Sequence, residues 1–168
     1  MIVQTTRFGK LEVAEDEIIT MQTGLLGFSS ARLYTLLDDE ISSPFKWFQS
    51  LEMESLAFVT IDPQLVVSNY KIALAEEHMK KIEADSIDDL SVLVIVTMTK
   101  DIKDVTVNLQ GPLVVNQKKR AGLQLVIPDG EYSTRYLLFG DKLKYDAQSE
   151  EEEKVESADK APQAVAAG

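Results

Sequence analysis

Cysteine is absent from the 168 residues, and histidine occurs once, at position 78. Without thiols the chain can form no disulfide, no thiolate nucleophile and no cysteine metal site, and one histidine cannot build a histidine-rich metal centre. A chain free of cysteine also fits a reducing compartment. The fold must therefore be held together by its own core.

Basic residues are few, because 17 lysines and arginines stand against 28 aspartates and glutamates, which gives a net charge of -11. A surface of this sign repels a polyanion and cannot release its counterions. The composition therefore predicts that the protein does not bind nucleic acid directly.

Long hydrophobic runs are also missing. The longest, Val92 to Val96, is far below the roughly 20 residues that a membrane-spanning helix needs. The first residues contain no cationic start, no apolar stretch of signal-peptide length and no small-residue cleavage site. We therefore expect neither a membrane span nor export by a signal peptide.

Motifs of catalysis and cofactor binding do not occur: the sequence has no phosphate-binding loop, no dinucleotide glycine fingerprint and no zinc-ligand spacing. His78 falls on a predicted surface helix, which favours a solvated residue over a general base. Three acidic clusters, at 38–40, 85–89 and 101–104, could bind a hard cation, but solvated turns are the favoured interpretation. The sequence predicts no enzyme, cofactor or metal, although a carboxylate pair for glycoside hydrolysis stays open.

The sequence is rich in short runs of β-branched and aromatic residues separated by turn residues, over most of the first 140 positions. This pattern is typical of an antiparallel barrel or sandwich. The apolar run 92–96 predicts a central strand covered on both faces. Further strands are expected at residues 11–13, 18–21, 33–37, 45–51, 56–61, 70–74, 105–110, 113–115, 123–127 and 132–139.

Helical periodicity is confined to residues 75–84, where Ala75, Met79 and Ile82 share one face and two Glu–Lys pairs lie four residues apart. Asp85 and Ser86 could cap a further turn. The predicted fold class is mostly β, a barrel-like or sandwich-like single domain with one or two short helices.

Residues 141–168 contain eight acidic and four basic side chains and an alanine-rich end. Such a segment has too few apolar residues to build a core. We interpret residues 1–140 as the domain and 141–168 as a disordered acidic tail. The domain holds 13 basic and 20 acidic residues, a net charge of -7, so it is acidic without the tail.

Two apolar segments stand out from this charged background. The paired glycines of Gly24-Leu25-Leu26-Gly27-Phe28 allow a tight turn, which could be a sheet corner or a close approach to a partner. In Phe45-Lys46-Trp47-Phe48-Gln49-Ser50, strand alternation places aromatic residues on both sides, so one of these sides could form an exposed apolar patch. The pattern supports a core and an interface equally.

The sequence resembles the FliW family, the bacterial flagellar assembly factors. The resemblance covers roughly residues 1–140 and rests on motifs in the family's order. They are Gly24 to Phe28, Phe45 to Ser50, Asn108-Leu109-Gln110-Gly111-Pro112 leading into Val114-Val115-Asn116, Gln124, and Tyr132-Ser133-Thr134-Arg135. Phe48 replaces the family's usual leucine, and the acidic tail is longer than the family core.

The resemblance implies a cytoplasmic, non-catalytic protein that binds flagellin and also CsrA, the regulator that represses translation of flagellin messages. Exchange of these partners would couple flagellin synthesis to filament assembly. The alternatives are a secretion chaperone that binds flagellin alone, and a small hydrolase or ligand-binding barrel that uses acidic loops. We expect the free chain to be a monomer.

Candidate partner-binding residues follow from the aromatic segment and the acidic clusters. We predict an apolar anchor of Phe45, Trp47 and Gln49, and an acidic face of Asp88, Asp89, Asp101 and Asp104. Four further residues are expected to shape the fold: Gly24, Gly27, Phe28 and Pro112.

Overall fold

The computed structural model describes residues 1–39 and 44–140. Its strands are β1 (Ile2–Thr5), β2 (Gly9–Glu12), β3 (Ile19–Met21), β4 (Leu33–Asp38), β5 (Lys46–Ser50), β6 (Ala57–Ile61), β7 (Leu90–Thr97), β8 (Thr106–Val107), β9 (Leu113–Asn116), β10 (Ala121–Gln124) and β11 (Tyr136–Leu137). The α-helix α1 spans Glu76–Lys81, and 3-10 turns lie at Glu15–Glu17, Pro63–Leu65, Ile87–Asp89 and Ile102–Asp104.

Seven strands close into a barrel in the order β7, β6, β5, β4, β3, β10, β9, because β9 pairs back with β7. All neighbours are antiparallel except β3 and β10, which are parallel. Strand β7 changes partner along its length: Leu90 to Leu93 pair with β9, whereas Val96 and Thr97 pair with β8. Strands β8 and β11 therefore extend the sheet away from the barrel, and the predicted mostly β, barrel-like fold is confirmed.

Strand alternation divides the barrel wall into an inner and an outer face. Inside, the rings of Tyr34 and Phe48 stack with centroids 4.4 Å apart, among apolar residues from six strands. On β9, Leu113 and Val115 belong to this inner core, whereas Val114 between them packs outward beneath α1. A third cluster lies between the outer face of β6 and β7 and the extension β8–β11.

Strands β1 and β2 form a separate hairpin whose turn reaches the barrel. Thr6 donates its backbone N–H to the carbonyl of Glu54 at 2.9 Å, and the ring of Phe8 meets Trp47 edge-on at 5.7 Å. The sequence pattern predicted the second strand of this hairpin but not the first.

The prediction of a strand at residues 70–74 is wrong. The residues alternate in burial as expected, but their polar groups bond to side chains and loops instead of a neighbouring strand. The Tyr70 hydroxyl donates to the Leu109 carbonyl at 2.7 Å, and the Lys71 N–H donates to the Tyr132 hydroxyl at 3.0 Å. This segment thus lies across the outer wall without joining the sheet.

The strands expected at 105–110 and 132–139 are shorter than predicted, at two residues each. Asn108 ends the first of them, because its side-chain oxygen accepts the backbone N–H groups of Gln110 and Gly111. Within the described residues no helix is long and apolar enough to cross a membrane. The predicted tail, 141–168, lies outside the described residues.

Candidate protein-binding surfaces

An apolar groove of about 560 Å³ lies on the outer wall where β5 and β6 meet the connection from β7 to β8. Trp47 of β5 and Phe45, which immediately precedes the strand, line this groove, and both are half-buried. Met98 and Ile102 form its other side and are 56% and 54% exposed. Sequence reasoning missed these two residues, although an isolated isoleucine within the charged turn 101–104 is a signal that could have identified Ile102.

Trp47 is enclosed on two sides by the β1–β2 turn. The guanidinium carbon of Arg7 lies 4.2 Å from the centre of the Trp47 ring, within the range of a cation–π contact. Together with the edge contact from Phe8, this fixes the ring orientation. A partner that binds the groove therefore meets an ordered aromatic surface.

A second apolar hollow, of about 400 Å³, adjoins the first, because Phe45 and Phe139 line both. Its other walls are formed by Ile61, the 3-10 turn at Pro63–Leu65 and strand β11. The two hollows separated by this pair of phenylalanines can accept two apolar side chains of one partner segment.

Asp101 and Asp104 flank Ile102 at the rim of the groove, and both are exposed. The Asp101 carboxylate accepts the backbone N–H of Lys103 at 3.2 Å and pairs with the Lys103 ammonium at 3.3 Å. The backbone hydrogen bond, followed by the ammonium, lowers the pKa of Asp101 below its ordinary value. Asp101 therefore stays ionised at neutral pH.

Asp88 and Asp89 lie at the opposite end of β7, whose eight residues span about 23 Å. Asp89 pairs with Lys118 at 2.6 Å, and this contact raises the pKa of the Lys118 ammonium. The single acidic face expected from the sequence is therefore two separate clusters, of which the pair 101 and 104 borders the groove.

Gln49 does not belong to an exposed anchor. Its side chain is fully buried, and its amide nitrogen donates to the carbonyls of Ser50 at 2.9 Å and Leu56 at 3.1 Å. The loop that follows β5 folds back over this end of the strand and covers its outer face. Gln49 therefore organises the loop and cannot contact a partner in this conformation.

The glycine-bounded segment 24–28 forms a tight turn at one end of the barrel. Gly24 and Gly27 both have positive φ, at +69° and +84°. Leu25 inserts into the inner core, and the Phe28 ring meets Phe58 edge-on at 5.4 Å. The turn thus closes this end of the barrel.

The polar motif residues brace this turn. Gln124 accepts the Leu26 backbone N–H at 2.9 Å and donates to the Gly111 carbonyl at 3.0 Å. Asn108 in turn accepts the Gly111 N–H at 3.0 Å, and the neighbouring Pro112 is buried. Three segments that are distant in sequence are therefore linked by one hydrogen-bonded chain.

A further cavity, of about 740 Å³, lies on another part of the barrel and brings together two cations, Lys46 and Arg120, with one carboxylate, Asp62. Among the residues that the structure describes, its lining holds one carboxylate, whereas a glycoside hydrolase needs a pair. Across residues 1–39 and 44–140 no three histidine, aspartate or glutamate side chains come together as a metal site. The cavity gives no support to the hydrolase alternative.

Comparison with known proteins gives one consistent result. The sequence profile of the family described as "FliW protein" matches residues 2–138. The flagellar assembly factor FliW of Natranaerobius thermophilus is 40% identical over 143 residues, covering 84% of this chain and 95% of that protein. The protein of the same name from Geobacter sulfurreducens is 40% identical over 139 residues, covering 83% of this chain and 87% of its own length.

A solved structure gives the same answer at the level of the fold. The crystal structure of the flagellar assembly factor FliW superposes with a TM-score of 0.77 at 30% identity, covering 82% of this chain and 96% of that one. The chain therefore belongs to the FliW family, which is a family of flagellar assembly factors and not of enzymes.

Proposed function

We propose that this chain acts in the cytoplasm by binding two proteins in exchange, flagellin and the RNA-binding translational regulator CsrA. Free flagellin occupies the chain and leaves CsrA to repress flagellin translation. When secretion drains flagellin, the chain binds CsrA and relieves the repression. No bond is made or broken, no cofactor is needed, and the free chain is a monomer.

The observation that supports this proposal best is the groove of Phe45 and Trp47 with the exposed carboxylates of Asp101 and Asp104 beside it. Interfaces typically combine aromatic anchors with a polar rim. A protein that binds RNA must carry a cationic surface, and the domain's net charge of -7 complements such a surface. The groove with Asp101 and Asp104 is therefore our candidate for the CsrA contact.

The same charge suggests how the chain opposes RNA binding. An acidic domain seated beside a cationic RNA site raises the electrostatic cost of bringing the message near, even where the RNA site stays uncovered. We therefore expect antagonism that is electrostatic or allosteric.

The experiment is an RNA-binding titration of CsrA with and without the full-length chain, repeated across a salt series. Salt screens charges at the rim, so inhibition should weaken as salt increases. Inhibition that does not change with salt would refute the electrostatic part of the proposal.

A matched pair of variants locates the contact. Asp101→Asn with Asp104→Asn, and Asp85→Asn with Asp88→Asn, remove the same charge from opposite ends of β7. Asparagine at position 101 keeps a side-chain oxygen that can accept the Lys103 N–H, so the turn is preserved. We expect the first pair to weaken CsrA binding more than the second, and equal effects would reject this groove.

A pull-down from cell lysate tests partner identity. Capture of flagellin without CsrA would favour the flagellin-only secretion chaperone, and capture of neither would reject the proposed function.

A further inference from the structure

The turn at residues 24–28 presents an apolar side chain to solvent on a rigid backbone. Leu26 is 68% exposed, whereas Leu25 beside it is buried in the inner core. The Phe28 N–H donates to the Leu25 carbonyl at 2.8 Å, and Gln124 holds the Leu26 N–H. Because this backbone is already ordered, a partner that binds Leu26 pays little conformational entropy.

The segments that form and contact the Leu26 turn carry no charged residue, which is unusual in a chain whose residues are 27% charged. The turn lies within the uncharged segment 18–31, and the segments that brace it lie within the uncharged stretches 105–117 and 121–128. Two further apolar residues of these segments, Phe28 and Val126, are 36% and 65% exposed. Depletion of charge around exposed apolar residues is typical of the centre of a protein interface.

Charged side chains at the margin are engaged within the chain. The Arg32 guanidinium donates to the carbonyls of Met21 and Gln22. The Glu52 carboxylate accepts the backbone N–H of Leu33 at 2.8 Å, and Asp129 accepts from the Gln110 amide at 2.7 Å. Hydrogen bonds within the chain therefore hold these three charged side chains in place at the margin.

We infer that Leu26, Phe28 and Val126, hereafter the barrel-end surface, bind an uncharged apolar patch of flagellin, separately from the groove that faces CsrA. This inference rests on the proposed function. A cationic RNA-binding protein finds complementary charge only at the margin of this surface, on Glu52 and Asp129, whose carboxylates already accept hydrogen bonds within the chain. A filament subunit before assembly exposes apolar area that its neighbours later cover, and this is the chemistry that the barrel-end surface matches.

The two surfaces are close enough for one partner to exclude the other. Phe28 contacts Phe58, and the next residue, Val59, lines the groove. A standard interface covers about 800 Å² on each partner, a disc about 30 Å across. Flagellin seated on the barrel-end surface therefore overlaps the groove, and exchange follows from steric overlap without a conformational change.

The test measures the affinity of the full-length chain for purified flagellin and for CsrA at low and high salt. Leu26→Ala should weaken flagellin binding about tenfold, the loss typical of an interface anchor, and leave CsrA binding unchanged. Ile87→Ala is the control, since Ile87 is similarly exposed at 72% on a 3-10 turn that belongs to neither surface. Binding of flagellin should change little with salt, in contrast to binding of CsrA.

Gln124→Ala tests the hydrogen bonds by which Gln124 holds the Leu26 turn. Leu26 lies on the surface, so its truncation leaves the core intact, whereas loss of Gln124 frees the turn that carries it. We expect Gln124→Ala to weaken flagellin binding in the wild-type chain and to add little in the Leu26→Ala chain. If the two substitutions instead reduce flagellin affinity additively, Gln124 does not act by positioning Leu26.

Each other outcome overturns a defined part of the inference. If the wild-type chain binds flagellin and Leu26→Ala binds it equally well, the barrel-end surface is not the contact, although the proposed function stands. If the wild-type chain binds neither protein, both fail. If the free chain is a dimer that Leu26→Ala dissociates, the occupant of the surface is a second copy instead of flagellin. If removal of residues 141–168 uncovers the surface, the occupant is the chain's own terminus.

Discussion

Two buried tyrosines carry hydroxyl groups in opposite situations. The Tyr34 hydroxyl lies inside the barrel without a hydrogen-bond partner among the described residues, whereas the Tyr70 hydroxyl donates to Leu109 at 2.7 Å. Removing a buried hydroxyl that makes no hydrogen bond costs little folding free energy, whereas removing one that is hydrogen-bonded also removes the stabilisation of that bond. Tyr34→Phe should keep or raise the free energy of unfolding by up to about 1 kcal/mol, and Tyr70→Phe should lower it by about 1–2 kcal/mol, as measured by urea denaturation.

Tyr34 also predicts a dependence on pH. Burial, followed by the nearby Glu52 carboxylate, raises the pKa of Tyr34 from 10.0 to about 12. Between these values the unfolded chain loses the phenolic proton while the folded chain keeps it, so stability falls as pH rises. Denaturation from pH 9 to pH 12 should show a steeper loss for the wild type than for Tyr34→Phe. Parallel profiles would contradict the burial of this hydroxyl.

At the scale of the elements, the stability of the turn at residues 24–28 depends on its two glycines to different degrees. A Cβ added to Gly24 would lie 2.8 Å from backbone atoms of Ser29, whereas at Gly27 it would meet open space. Both positions have positive φ, which costs a residue with a side chain about 1 kcal/mol. Gly27→Ala should therefore lower the unfolding free energy by about 1 kcal/mol, and Gly24→Ala by about 3 kcal/mol because of the added overlap. Equal losses in thermal denaturation would contradict this geometry.

The two 3-10 turns that flank β7 offer a matched comparison for the groove. Ile102 and Ile87 each open such a turn behind a capping side chain, Asp101 and Ser86. Only Ile102 of the two borders the groove. Ile102→Ser should weaken CsrA binding about tenfold, with Ile87→Ser close to wild type in the same titration. Equal affinities would place the CsrA contact elsewhere.

The sequence could predict those elements whose hydrophobic pattern is compatible with only one structure. The run 92–96 is apolar at every position, and as part of β7 it is covered on both faces. The alternation of Tyr70, Ile72 and Leu74 is compatible with a strand paired in a sheet and with an extended segment that has no partner strand, and the chain adopts the second. A period of two reports which side is buried but does not report a neighbouring strand.

The same limit applies to the candidate site. Alternation placed Phe45, Trp47 and Gln49 on one side without deciding whether that side is buried, and nothing local to Gln49 indicates that the loop after the strand returns to cover it. The groove also needs Met98 and Phe139, which lie far along the chain from Trp47. Their proximity is a property of barrel closure and of the β8–β11 extension, so sequence reasoning could name only half of the surface.

At the scale of the whole molecule, charge and apolar area are distributed unevenly. Asp101 and Asp104 lie beside the groove, whereas the barrel-end surface is built from uncharged segments. A single barrel can thus meet a cationic partner and an apolar one on different faces. The closed order of its strands gives both faces the rigid support that precise contacts need.

The enclosure of Trp47 has a spectroscopic consequence. It is the single tryptophan of the chain, and it lies in the groove between Arg7 and Phe8. Its emission therefore reports on one surface: a ligand that covers the groove changes the polarity around the indole, and one confined to the barrel end leaves it in place. The indole emission therefore reports, without a label, whether a bound protein covers the groove.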